Sequence, residues 1–131
     1  MYERAMCATG RTLDMLTQDF CVFYKDHVLD EEFAGLVLDA SEGQRIAASL
    51  GSGKSALLAN HGIMTAGPTI EAIVAWYALF EKCCQIQPLA DASSAGSGKP
   101  LAKIGEAEAR FQVAGRQFGE RSYLGKGFQA L

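Results

Sequence analysis

A chain of 131 residues fits one domain and can bury roughly two-thirds of the surface its unfolded form exposes. Its net charge of -3 and pI near 5.3, with twelve scattered basic residues, exclude a nucleic-acid-binding surface, which needs clustered Lys and Arg. No apolar run reaches the roughly 20 residues that cross a bilayer, and Met1-Tyr2-Glu3-Arg4 leads into no apolar signal core, so the expectation is a cytoplasmic protein with no membrane partner.

Residues 2–9 predict a short helix stopped by Gly10. Phe20-Cys21-Val22-Phe23-Tyr24 is short, apolar and β-prone, which predicts a strand or a buried extended segment. Leu36-Val37-Leu38 reads the same way after Gly35. Asp39, with Glu42 three positions on, offers a capping box for a helix that carries Ile46, Ala47 and Leu50 on one face and stops near Gly51. Ser55 to Ala59 predicts a strand, Asn60-His61-Gly62 a turn, and Ile63 to Ala66 a second strand. Thr69 can cap the longest helix, and Glu71 in its first turn suits the helix dipole.

That helix carries Ile70, Ile73, Val74, Trp76, Tyr77, Phe80, Cys83 and Cys84 around much of its circumference. Burial on more than one side is expected, in part against another subunit. Asp91 to Pro100, rich in Ser, Gly and Ala, reads as a mobile loop. A last helix is expected at about Glu106 to Phe118, followed by a packed tail with aromatics between glycines from Tyr123 to Phe128. Mixed helices and short strands with tight connections predict α/β or α+β layers. Cys7, Cys21, Cys83 and Cys84 show no paired spacing, so they read as buried free thiols.

Gly51-Ser52-Gly53-Lys54-Ser55 imitates a phosphate-binding loop, but Ala48 stands where the pattern needs glycine. The order of elements is also inverted, because a P-loop follows a strand and opens a helix, whereas here a helix precedes and a strand follows. An exposed helix-to-strand turn is the expectation.

His61 is one of two histidines, and it stands where a strand hands over to a turn. Rigid backbone there can hold an imidazole while leaving it free to reach a ligand, and histidine titrates near neutrality as proton transfer requires. The alternative for His61 is a turn residue whose ring ties back to backbone. For His27 the alternative is a solvated loop histidine beside Asp26.

The run Ala56 to Gly67 resembles the class II aldolase/adducin family. So do the Thr-Ile-Glu-Ala opening of the long helix, Phe80-Glu81-Lys82-Cys83-Cys84-Gln85 and, upstream, Ala8-Thr9-Gly10-Arg11, Thr17-Gln18-Asp19 and Tyr24-Lys25-Asp26-His27. Lys103-Ile104-Gly105-Glu106 and the aromatic tail continue the likeness in the same order. The resemblance implies an α/β/α sandwich around a mainly antiparallel sheet with flanking helices, usually tetrameric. It also implies a divalent metal, commonly zinc, held by three histidines, with a carboxylate for acid/base work on small sugar phosphates.

His61 matches the third metal histidine. The other two belong to a His-x-His pair expected before a segment like Tyr2-Glu3-Arg4-Ala5, and the phosphate-binding loop and catalytic carboxylate belong to the same half. The expectation is therefore a single truncated domain over 1–131, the C-terminal half with its own methionine start. A catalytic zinc needs about three protein ligands. The first expectation is thus a lyase-, cyclase- or isomerase-type enzyme on a small-molecule substrate, a homo-oligomer with no metal and no cofactor. Its catalytic candidates are His61, His27, Tyr24 and Asp26, and its substrate-binding candidates are Asn60, Gly62, Trp76 and Tyr123. The alternatives are a non-catalytic adducin-like binding or assembly module, one half of a split zinc aldolase, and a metal site rebuilt from His27, His61 and Asp26.

Overall fold

The computed structural model describes residues 1–32 and 40–113. Helix α1 (Tyr2–Cys7) buries Met6 and Cys7, and the chain turns at Gly10, where φ is +62. Glycine takes that left-handed conformation at little cost, which makes it the stop the sequence predicts. Phe20–Phe23 is a 3-10 helix, not the expected strand. The N–H groups of Cys21 and Val22 reach back three residues to the carbonyls of Gln18 and Asp19. All four residues of that turn are buried, and a fully buried turn and a fully buried strand give the same continuous apolar run.

Strand β1 (His27–Asp30) follows, and helix α2 (Ala40–Leu50) leads to strand β2 (Ser55–Leu58). The strands β1 and β2 are parallel, with His27 opposite Ser55 and Asp30 opposite Leu58. Strand β3 (Gly62–Thr65) returns antiparallel to β2, with Leu58 opposite Gly62, and the sheet order is β1-β2-β3. Ile46 and Leu50 of α2 are buried as expected, whereas Ala47 is exposed. The Gly-Ser-Gly-Lys-Ser segment joins the end of α2 to β2, so its helix lies on the wrong side for a phosphate loop.

Helix α3 (Ile70–Ser97) has 28 residues. The Thr69 hydroxyl accepts from the Ala72 N–H at 3.2 Å, the cap the sequence predicts. Asp91 to Ser97, expected as loop, is helix, and the stop is Gly98 at φ +69. Alanines 90, 92 and 95 favour the helix, and Asp91 is tied down by Arg11 at 2.6 Å and by the Gln87 amide at 3.2 Å. Residues 106–113 are again helical. The expected continuation to Phe118, the tail with Tyr123, Leu36-Val37-Leu38 and Asp39 all lie outside the described residues.

The core joins α1, the 3-10 helix, β2 and α3 through Met6, Phe20, Phe23, Leu57, Phe80 and Cys84, and the Phe23 and Phe80 rings meet at 4.7 Å. Helix α3 buries one face only, through Phe80, Cys83, Cys84 and Gln87, while Ile70 is 77 % and Val74 61 % exposed. All four cysteines are buried, and none is in a disulfide. No helix among the described residues is long and apolar enough to cross a membrane.

Candidate functional site

Ala59-Asn60-His61 forms the connection between β2 and β3, and Gly62 opens β3. The His61 N–H donates to the Leu58 carbonyl at 3.0 Å, and Asn60, the third residue of that turn, has φ +58. Asparagine and glycine are the residue types that tolerate this position, which is why the trio folds as it does. The turn is braced from two sides. On one side, the Ala59 N–H donates to the Asp30 carbonyl at 2.8 Å. The buried Asp30 carboxylate accepts two bonds from Arg45, at 2.7 and 2.9 Å, linking β1 to α2. On the other side, the Cys7 carbonyl accepts from the Asn60 N–H at 3.4 Å and the Cys7 thiol donates to the Gly62 carbonyl at 3.0 Å. The backbone is therefore held, while the His61 side chain is exposed and its ring makes no hydrogen bond among the described residues.

The other candidates gather at the opposite end of the sheet. His27 opens β1 and is half-buried rather than solvated in a loop. Its Nδ1 donates to the Phe23 carbonyl at 2.6 Å, and its Nε2 accepts from the Leu13 N–H at 3.1 Å. Burial lowers its pKa against the opposing effects of the Phe23 carbonyl and Asp26, so the neutral ring is the one held. Both nitrogens are spent on backbone, and the ring has neither lone pair nor N–H left for a substrate.

Asp26 accepts from the Lys54 N–H at 3.0 Å and pairs with the Lys54 ammonium at 2.6 Å. That ammonium also lies 5.4 Å from the centre of the Trp76 ring. Trp76 covers Gly67 closely enough that a side chain there would collide with the indole. The Tyr24 hydroxyl is buried beside the Glu106–Arg110 pair but meets no partner at hydrogen-bonding geometry among the described residues. Arg110 and then Lys25 hold the Glu106 carboxyl down at about 2. Tyr123 lies outside the described residues.

The structure therefore brings Asn60, His61 and Gly62 together and sets Tyr24, Asp26, His27 and Trp76 apart from them. The parallel register places His27 level with the first residue of β2, and His61 lies beyond its last. Four residues of strand span about 10 Å at ~3.3 Å each, which sets the two histidines at opposite ends of β2. This arrangement lends no support to the rebuilt site from His27, His61 and Asp26, because both His27 nitrogens are bonded to backbone. Among the described residues no group of three or more His, Cys, Asp or Glu is placed to hold a metal ion. The divalent ion the resemblance implies needs about three ligands, and these residues supply one, so they do not fit it and no step is derived through it.

Cys7 and Asp30 are the neighbours of this turn that sequence reasoning missed. Cys7 read as an inert core thiol, and nothing in its local sequence announces a partner 55 residues away. Asp30 carries a weak signal, a charge at the end of an apolar strand.

Residues 2–88 match the Class II Aldolase and Adducin N-terminal domain. The chain is 42% identical, over all 131 residues, to "Decarboxylase NovR" of Streptomyces niveus, of which it covers 46%. It is 45% identical over 101 residues to "4-hydroxy-3-prenylphenylpyruvate oxygenase/4-hydroxy-3-prenylbenzoate synthase" of Streptomyces roseochromogenus subsp. oscitans, covering 77% of this chain and 36% of that protein. Among solved structures, L-fuculose 1-phosphate aldolase from Glaciozyma antarctica PI12 superposes with a TM-score of 0.71 at 36% identity, over 87% of this chain and 40% of that one. The chain thus spans less than half the length of these relatives. An α/β core with flanking helices, an Asn-His-Gly turn at the end of its central strand and a match over residues 2–88 lead to one conclusion: the chain belongs to the class II aldolase and adducin family.

Proposed function

We propose that this chain is a small-molecule enzyme of lyase type, in which His61 presents its imidazole to the substrate and no divalent ion is held by the chain's own residues. The observation that carries this reading is the contrast at His61, whose turn is locked by backbone bonds while its ring bonds to none of the described residues. Breaking a carbon–carbon bond next to a carbonyl leaves an electron pair on carbon, and a proton must then be delivered there. A positioned imidazole suits that delivery. Asn60 and Gly62 supply the turn that aims it. The relative named a decarboxylase supports carbon–carbon bond breaking, and the one named an oxygenase and prenylbenzoate synthase supports an aromatic acid as the substrate class.

The test uses 4-hydroxy-3-prenylphenylpyruvate, for which the second relative is named, with product analysis by mass spectrometry and metal content measured on the same sample. Turnover by the metal-free chain that disappears in His61→Ala supports the reading. Turnover that survives His61→Ala defeats it.

A second reading is supported by the chain's short span of its relatives. His61 would then be one ligand of a metal site completed by residues outside this chain. Stoichiometric zinc appearing only when a second polypeptide is added would favour it. Self-association is part of the first proposal, supported by the exposed Ile70, Val74 and Tyr77 on successive turns of α3.

A further inference from the structure

We propose that Cys7 is a positioning residue for His61, with α1 acting as the strut that fixes the His61 turn against α3. The proposal rests on the reading that His61 meets the substrate, and it adds what sets the direction of the ring. Three hydrogen bonds hold the peptide groups around His61. The Asn60 N–H is held by the Cys7 carbonyl at 3.4 Å, the His61 N–H by the Leu58 carbonyl at 3.0 Å, and the Gly62 carbonyl by the Cys7 thiol at 3.0 Å. Peptide groups are planar, so the Leu58 bond fixes the plane that enters His61 and the two Cys7 bonds fix the planes one residue outside it on either side, which limits how far the backbone between them, and the His61 Cα–Cβ bond with it, can turn. Two of the three bonds come from Cys7.

Cys7 is 1 % exposed, and burial raises its thiol to about 11, which keeps the proton that the Gly62 carbonyl accepts. The strut is seated at its other end by Glu81 of α3. Its carboxylate accepts from the Tyr2 N–H at 3.1 Å and from the Glu3 N–H at 2.9 Å. Helix α1 has no side-chain cap of its own, so Glu81 supplies one from across the core. Glu81, α1 and Cys7 thus form one mechanical line from the long helix to the reactive turn.

The test compares Cys7→Ala, which deletes the donor, with Cys7→Ser, which restores one, by amide hydrogen exchange on the intact chain. Exchange at Asn60 and His61 is expected to rise about tenfold in Cys7→Ala, the size of one lost buried hydrogen bond, and to return in Cys7→Ser. The Lys54 amide, at the far end of β2, is expected to stay unchanged in both. Turnover is expected to fall in kcat with KM held. Should Cys7→Ala fail to fold, Glu81→Ala, which frees the far end of α1 without touching the turn, is expected to give the same local acceleration at residues 60 and 61. Unchanged exchange at the turn, an equal rise at Lys54, or serine behaving as alanine would each overturn the proposal. Activity that survives His61→Ala defeats only the parent reading, because the exchange pattern still decides whether Cys7 holds the turn.

Discussion

The two ends of the central strand carry similar residue types and treat them in opposite ways. At the Ser55 end, His27, Asp26, Lys54 and Trp76 are all committed: both imidazole nitrogens to backbone, the carboxylate to the ammonium, the ammonium to the indole. At the Leu58 end it is the backbone that is committed, through Cys7, Asp30 and Leu58, and the imidazole bonds to none of the described residues. A histidine whose hydrogen bonds are all satisfied contributes to stability. One whose neighbours are satisfied on its behalf is available for chemistry. The distinction does not lie in the residue but in which of its groups the fold has used.

Substitutions can break or sharpen this contrast. Phe80→Ala removes the ring that packs on Phe23 and lies 6.0 Å from the His27 ring, so chemical denaturation should show a loss of about 3–5 kcal/mol. His61→Ala should cut turnover about a hundredfold or more, while the urea midpoint stays where it was, because an exposed side chain is lost. The mirror result is expected for His27→Ala, a destabilisation of about 1–3 kcal/mol from the stranded Leu13 N–H and Phe23 carbonyl. In that variant kcat per folded molecule should be retained. Equal effects of the two histidine substitutions on activity would remove the distinction between the ends.

His27 also sets a pH dependence. Its folded pKa lies below its unfolded one, so the unfolded state binds more protons and stability rises with pH. The full contribution is present above roughly pH 6.5, the ordinary histidine value, and is lost as pH falls below it towards the lowered folded value. Urea midpoints measured from pH 8 down to pH 5 should show this decline, and His27→Gln should flatten it. The smallest effect is expected for Lys25→Ala, which breaks an exposed pair with Glu106 and should leave the urea midpoint within error.

Much of the fold was legible in local sequence. The Thr69 cap, the stop at Gly10, the β2 and β3 strands and the turn between them follow from hydrogen-bonding groups a few residues apart. Two elements were misread because composition stood in for context. The Phe20–Phe23 run is apolar on every side, and nothing in it distinguishes a buried 3-10 turn from a buried strand. The Ser-rich end of α3 looked like a loop, yet contacts from Arg11, 80 residues away, hold Asp91 in the helix.

The candidate site divides along the same line. Sequence by itself determined the turn at Asn60-His61, because an asparagine that tolerates positive φ between two apolar strand-forming runs meets the local requirement of one short connection. It also determined the family, through the order of short motifs along the chain. Only the tertiary structure decided that His27 is a structural partner of Leu13 and Phe23, that Asp26 belongs to Lys54, and that Cys7 reaches Gly62. Those facts depend on which strand end each residue occupies once β1 and β2 pair in parallel. That register is set by long-range burial, which no local window of residues contains.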